Sequence, residues 1–208
     1  MIKNLLLVFV KHPQAGRVKT RLAAEVGDQV ALQVYQKLLA ITRKAAFGVS
    51  DVERRVYFEE PPAQDPLWDS PHFKGHIQEG ADLGRRMQNA FQQGFDDGFQ
   101  RIVIIGSDCP GMSSSLLSQA FRILSRKEAV VGPANDGGYY LLGLSRPLPP
   151  VFRHKHWSSE TVLYHTLRDF QQNNMEYELL DERIDIDTLD DLQHAGPDWE
   201  ALCHMPLS

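Results

Sequence analysis

Cysteine is scarce in this chain: two residues in 208, Cys109 and Cys203. That excludes the disulfide framework of a small secreted scaffold, and the spacing offers no zinc site. Long apolar runs are missing too. Leu5 to Val10 is the clearest hydrophobic stretch, and it is far shorter than a membrane span. It is also too short for a secretory core, and Lys11 and Pro13 follow it with no small-residue cleavage pattern. There is no basic excess: Lys and Arg number 22 against 27 Asp and Glu, for a net charge of −5. A general nucleic-acid or membrane surface is therefore not expected, and any site for a polyanion must be local. Internal repeats and low-complexity segments are absent. These gaps lead us to expect a cytoplasmic protein with one domain over residues 1–208 and a full core.

Apolar residues make up 42 % of the chain and charged residues 24 %, the balance of an ordinary globular domain. Leu5-Leu-Leu-Val-Phe-Val10 is continuous rather than alternating, which fits a strand buried on both faces. Asp28 to Phe47 is amphipathic, with Val30, Val34, Leu38, Ile41 and Ala45 along one face. Val52 to Phe58 reads as a strand. Residues 59 to 75 carry Pro61, Pro62, Pro66 and Pro71 and read as a loop that could also cover a site. Leu83, Met87, Ala90 and Phe91 have helical spacing behind Asp82. Arg101 to Ile105 is another buried strand. Ser113 can cap a helix whose inner face is Leu116, Leu117, Ala120, Phe121 and Leu124. Ala129 to Gly132 and Tyr139 to Leu142 read as strands around a turn. A helix is expected from Ser158 or Ser159 to about Phe170, extended chain at 177–180 and 183–186, and a helix from Thr188 to Ala195. The tail beyond Gly196 carries no pattern. Strands alternating with helices imply an α/β layered domain with a mainly parallel sheet. Ligands on such sheets sit outside the carboxyl ends of the strands, so the loops after Val10, after Ile105 and around Asn135 are where chemistry is expected.

Four constellations stand at or near those places. Lys11-His-Pro-Gln-Ala-Gly16-Arg17-Val-Lys19-Thr-Arg21 puts four basic residues around the end of the first strand. Gly16 lets backbone approach a ligand, Arg can grip phosphate oxygens in pairs, and Lys supplies a point charge. The order Gly…Lys-Thr is that of a P-loop, but Val18 precedes Lys19 where a P-loop has Gly. In Gly106-Ser-Asp108-Cys-Pro110 a carboxylate follows a buried strand, and Mg²⁺ is commonly held by one or two carboxylates together with substrate phosphates. A turn Asp bonding its own backbone is the plain alternative. Asn135-Asp136-Gly137-Gly138 is first a hairpin turn, whose glycines would also let a sugar or small acceptor lie close while Asp136 bonds its hydroxyls. Asp185 and Asp187 fall on one side of an extended segment and either complete a metal site or favour the helix behind Thr188. Cys109 is expected buried, His154 and His156 at the surface, and Trp157 in the core or stacked on a base.

Taken in order, Gly16-Arg-Val-Lys-Thr-Arg-Leu22, Gly80-Ala-Asp-Leu-Gly84, Gly106-Ser-Asp-Cys-Pro110, Gly132-Pro-Ala-Asn-Asp-Gly-Gly-Tyr-Tyr140, Trp157-Ser-Ser-Glu160 and Asp185-Ile-Asp-Thr188 resemble a bacterial family. It is the glycosyltransferase-A-like family linked to radical-SAM gene clusters and arsenosugar biosynthesis, itself similar to 2-phospholactate guanylyltransferase and the molybdenum cofactor guanylyltransferases. The resemblance implies the three-layer nucleotide-diphospho-sugar transferase (GT-A-like) fold, with helices on both faces of a mainly parallel sheet. It implies nucleotide phosphates at Lys11, Gly16, Arg17, Lys19 and Arg21, with Gly137 and Gly138 also near the ligand. It implies a metal, Mg²⁺ or Mn²⁺, at Asp108, where Asp185 or Asp187 could supply a second ligand, and an acceptor or sugar near Asp136 to Tyr139. Lys19, Arg21, Asp108 and Asp136 are the expected catalytic groups. Arg85, where relatives often have an acid, and Ser159, where they often have Thr, bear on substrate choice. The expected activity is glycosyl transfer from a nucleotide sugar to a small-molecule acceptor. The alternative is nucleotidyl transfer from a nucleoside triphosphate, and a non-catalytic nucleotide-binding protein stands third. No nucleic acid or membrane partner is expected, and a homo-oligomer is left open.

Overall fold

The computed structural model of the chain describes residues 3–61, 67–157 and 159–204. Pro62, Pro66 and Ser158 lie outside the described residues. Strand β1 (Asn4–Val10) is buried on both faces, as its unbroken apolar run requires. Leu6, Val8 and Val10 face one core cluster, with Tyr35, Leu39, Leu117 and Phe121. Leu5, Leu7 and Phe9 face the other, with Met87, Phe91, Phe152 and Phe170. Each fully buried Leu or Val contributes roughly 1.5–3 kcal/mol.

The remaining elements follow in chain order: α1 (Thr20–Val26), α2 (Asp28–Phe47), β2 (Val52–Phe58), β3 (Lys74–Ile77), α3 (Leu83–Asp96), β4 (Arg101–Ile105) and α4 (Ser114–Ile123). After them come β5 (Ala129–Pro133), β6 (Tyr139–Leu144), a 3-10 turn (Pro149–Phe152), α5 (Val162–Gln172), β7 (Tyr177–Leu179), α6 (Leu189–His194) and α7 (Pro197–Glu200). Among the described residues the sheet has seven strands in the order β3-β2-β1-β4-β6-β5-β7. All pairings are parallel except those of β6, which runs against both β4 and β5. This is the fold class expected from the sequence.

Because β6 is reversed, its first residue, Tyr139, lies beside Pro133 at the end of β5. Leu141, two residues on, pairs with Ile105 at the end of β4. The ends of β1 and β4, the β5–β6 turn and the segment after β7 therefore share one edge of the sheet. The caps act as anticipated: Asp82 accepts from the Arg85 N–H and Ser113 from the Leu116 N–H, while Thr188 and Asp191 form a reciprocal capping box.

Three expectations need correction. Residues 74–77 form the edge strand β3, which begins within the last two residues of the stretch that reads as a loop and was not expected; Lys-Gly-His-Ile has no apolar run because the strand is largely exposed. Leu83 is 41 % exposed at the start of α3 instead of facing the core. The tail is structured: α7 buries Trp199 in a third cluster with Leu22, Val34, Leu38 and Ile186.

Candidate functional site

A cleft of about 420 Å³ opens at that shared edge. Its polar end is built by three loops, each fixed by its own sequence. In the loop after β1, Val18 is buried as an anchor, and Lys19 takes a left-handed backbone conformation at the start of α1. This directs the Lys19 side chain inward, where it is only 3 % exposed. Its ammonium lies 2.5 Å from Asp108 Oδ1 and 3.0 Å from Asp187 Oδ1. Burial works against the charge, but the two carboxylates outweigh it and hold the Lys19 pKa above its usual value.

The second loop follows β4. Its Ser107 hydroxyl lies 3.1 Å from the hydroxyl of Tyr35, a buried residue of α2. The same Tyr35 hydroxyl accepts from the Lys11 N–H at 2.8 Å and lies 3.2 Å from the Lys11 carbonyl. One phenol thus ties the start of the basic loop to the residue before Asp108. Burial pushes the Tyr35 hydroxyl up to about 12, so it stays protonated at neutral pH. Sequence reasoning missed this link. Its signal was an aromatic residue with a polar tip inside the apolar stripe of α2.

The third loop follows β7. Arg183 bridges to Ala134, the Arg183 N–H donates to the Pro133 carbonyl, and the Ile186 N–H donates to the Asp108 carbonyl at 3.0 Å. Ile186 is fully buried, so the alternation of extended chain turns both Asp185 and Asp187 into the cleft. Asp185 Oδ1 is shut off from solvent and has no hydrogen-bond partner among the described residues. Burial, then the nearby charge of Asp108, raise the Asp185 carboxyl to about 8.

Of the residues singled out in the sequence, Lys11, Lys19, Arg21, Asp108, Asp136, Gly138, Asp185 and Asp187 all line this cleft. Arg21 is exposed, 3.9 Å from Asp187. Asp136 Oδ1 accepts from the Gly138 N–H at 2.8 Å, an Asx turn within the β5–β6 hairpin. Gly16, Arg17 and Gly137 do not line it. Arg17 reaches outward to Glu60 at 3.8 Å. Gly137 has φ +83° and is packed under Glu160, and Gly16 has φ +78° in the turn before Arg17. Cys109 is buried, and His154 and His156 are exposed, as expected. Trp157 is half-buried and forms part of the cleft's other, largely apolar end with Leu83, Met87, Tyr139 and Val162.

Residues 42–159 match the model of a family described as an uncharacterized protein conserved in bacteria (DUF2064). The chain belongs to this family. Among solved structures, this DUF2064 member is similar to a provisionally named nucleotide-diphospho-sugar transferase from Desulfovibrio desulfuricans G20. The two share 33 % identity and superpose with a TM-score of 0.86 over 92 % of this chain and 85 % of the other. The 4-diphosphocytidyl-2C-methyl-D-erythritol synthase of Anaerococcus prevotii shares the fold, with a TM-score of 0.61 at 12 % identity over 92 % of this chain and 93 % of that one. A curated relative, 2-phospho-L-lactate guanylyltransferase of Methanocaldococcus infernus, is 30 % identical over 112 residues. That match covers 52 % of this chain and spans only half the length of the relative.

The polar end also fits a divalent cation. Asp185 offers a buried oxygen that no other described residue satisfies, beside the carboxylates of Asp108 and Asp187. Among the described residues no cage of three or more such ligands is preformed. Mg²⁺ needs none, since it is commonly held by one or two carboxylates with the substrate's phosphates completing its shell.

Proposed function

We propose that this protein is a metal-dependent nucleotidyltransferase that joins a nucleoside triphosphate to a small phosphorylated acceptor and releases pyrophosphate. The observation that carries the reading is the meeting of Lys19, from the basic loop after β1, with Asp108, from the loop after β4, at 2.5 Å. In this reading a cation for phosphate and an acid for metal meet at one point of the sheet edge. The guanylyltransferase relative supports nucleotidyl transfer over the glycosyl transfer expected from the sequence.

In this reading the nucleotide's phosphates lie over Lys19 and Arg21. An acceptor phosphate oxygen, already ionised, attacks the α-phosphorus. The bond from that phosphorus to the bridging oxygen of the β-phosphate breaks, and the electron pair leaves with pyrophosphate. Lys19 and Arg21 stabilise the charge that grows on the leaving group. Asp108 and Asp185, with Asp187 beside them, would hold Mg²⁺ or Mn²⁺, which supplies charge neutralisation between phosphate oxygens and carboxylates. Tyr35 and Ser107 keep the two loops in register. Asp136 and Gly138 border the acceptor.

The test is a cycle of wild type and Asp108→Ala, each with and without metal, titrated calorimetrically with several nucleoside triphosphates and nucleotide sugars. With Mg²⁺ or Mn²⁺ the substitution is expected to weaken triphosphate binding. In EDTA it is expected to be neutral or to improve binding, because a carboxylate facing phosphate is removed. Equal effects in both conditions would refute the ligand role. Binding of nucleotide sugars but not triphosphates would return the assignment to glycosyl transfer.

A further inference from the structure

A second, smaller pocket of about 310 Å³ lies beside the cleft, and Trp157 lines both. Around it stand Asp82, Arg85, Arg153, His154 and Lys155. Two of these are already occupied. Asp82 caps α3 through the Arg85 N–H at 2.8 Å. Lys155 is buried, with its ammonium paired to Asp169. Arg85 and Arg153 have no carboxylate within ion-pair distance among the described residues, and the Arg85 guanidinium donates to Gln88 Oε1 at 3.5 Å. Both arginines are exposed.

Their placement is fixed rather than incidental. Phe152 and Lys155 point inward and pin the chain on either side of Arg153 and His154, which face solvent, and His154 turns the backbone with φ +56°. Trp157 is pressed on α3 so tightly that a Cβ at Gly84 would lie 2.4 Å from its ring and 2.4 Å from the Phe152 carbonyl. Gly84 precedes Arg85. The contact that locks Trp157 against α3 therefore also brings the Arg85 position up to the Arg153 loop.

We propose that this pocket seats an anionic group, carboxylate or phosphate, of the acceptor. The acceptor's reacting end lies in the cleft against one side of Trp157, and its second anion reaches Arg85 and Arg153 on the other. Calling the ligand an acceptor rests on the nucleotidyltransferase reading; the anion site itself does not. The substrate class is a small molecule with two anionic groups, one that reacts and one that orients. Two exposed arginines with no carboxylate partner among the described residues lose little when they turn toward a ligand, Arg85 giving up only its long contact to Gln88, and their planar forks match carboxylate and phosphate alike. Arg85 and Arg153 would thus be specificity-determining residues that take no part in bond making.

The experiment uses 2-phosphoglycolate, which carries both a phosphate and a carboxylate, with ethylene glycol as an uncharged control. Each is titrated calorimetrically into wild type, an Arg85→Gln/Arg153→Gln double variant and an Arg85→Lys/Arg153→Lys double variant. Phosphoglycolate is expected to bind wild type and to lose at least tenfold in affinity in the glutamine variant. The lysine variant is expected to regain part of that loss, since it keeps the charge without the fork. Melting temperatures measured alongside show whether each variant is folded. No phosphoglycolate binding to wild type, or affinity within twofold of wild type in a folded glutamine variant, would overturn the proposal. Triphosphate binding with Mg²⁺ is measured on the same samples. If it fails while the arginine dependence holds, the nucleotidyltransferase reading falls and the anion pocket stands; the reverse result removes only the pocket.

Discussion

Lys19 is the residue on which most of the site's electrostatics turn. Its ammonium sits between Asp108 and Asp187, where a divalent cation would also be drawn. With nucleotide present the same group is expected to serve phosphate oxygens. Lys19→Met should therefore act with opposite signs on two ligands. Triphosphate affinity should fall by about 1.5–3 kcal/mol, the worth of a charge-assisted hydrogen bond. Mn²⁺ affinity of the nucleotide-free protein should rise, because a competing cation has gone. Calorimetry with each ligand separately reads both signs, and a drop in Mn²⁺ affinity would show that Lys19 supports the metal instead of standing in for it. Asp185 supplies a second test at this scale. Its carboxyl is raised to about 8, above the value near 4 of an unfolded chain. The folded protein then binds this proton more tightly than the unfolded one. The resulting stability is fully present below about pH 4 and is lost as pH rises through 8. Asp185→Asn, which cannot ionise, should keep that stability, so its advantage over wild type in metal-free urea unfolding should grow from pH 5 to pH 8. Parallel curves would mean that Asp185 ionises like an ordinary carboxyl.

At the scale of elements, the turn between β5 and β6 is the part of the site least open to change. Gly137 has φ +83°, and a Cβ there would lie 2.1 Å from the Glu160 carbonyl oxygen. The Gly137 carbonyl in turn accepts from the Leu163 N–H at 2.9 Å, which docks the first turn of α5 on the hairpin. Gly137→Val combines an unfavourable backbone conformation, worth about 1–2 kcal/mol, with a clash against main chain that cannot rotate away. The variant is expected to melt well below wild type, and an unchanged melting temperature would show that hairpin and helix can part without cost. This turn was legible in the sequence because Asn-Asp-Gly-Gly is its own signal. So were β1, β2, α2 and β4, whose apolar runs or helical stripe record burial directly. β3 was not legible, because a short, largely exposed edge strand buries too little to leave a pattern, and α7 was not, because its one anchor, Trp199, stands alone. The site divides in the same way. That Lys19, Asp108, Asp185 and Asp187 meet at one cleft could be anticipated, because Lys19 and Asp108 each follow a strand that reads as buried and Asp185 and Asp187 share one side of an extended segment. The link through Tyr35 and Ser107 could not, since its significance lies in contacts between distant segments and not in local spacing.

For the whole molecule, the decisive fact is how far apart in sequence the site's parts are. The Lys19–Asp187 hydrogen bond joins residues 168 positions apart. Only the folded sheet brings the loops after β1, β4 and β7 together, so a ligand that needs all three binds the native state alone. Such a ligand stabilises by mass action, about 2.7 kcal/mol at a hundred times its dissociation constant. For a chain of this size each kcal/mol moves the melting temperature by roughly 2–4 °C. Metal and nucleotide should moreover depend on each other. Without metal, the triphosphate meets the carboxylates of Asp108, Asp185 and Asp187 across the cleft; without nucleotide, the metal lacks the phosphate oxygens that complete its shell. Thermal melts are therefore expected to show small shifts with Mg²⁺ alone or triphosphate alone, and a shift of about 5–10 °C with both. In Asp108→Ala the combined shift should shrink to the sum of the separate ones. Shifts that simply add in wild type would mean that metal and nucleotide occupy independent places, and the three loops would then no longer describe one site.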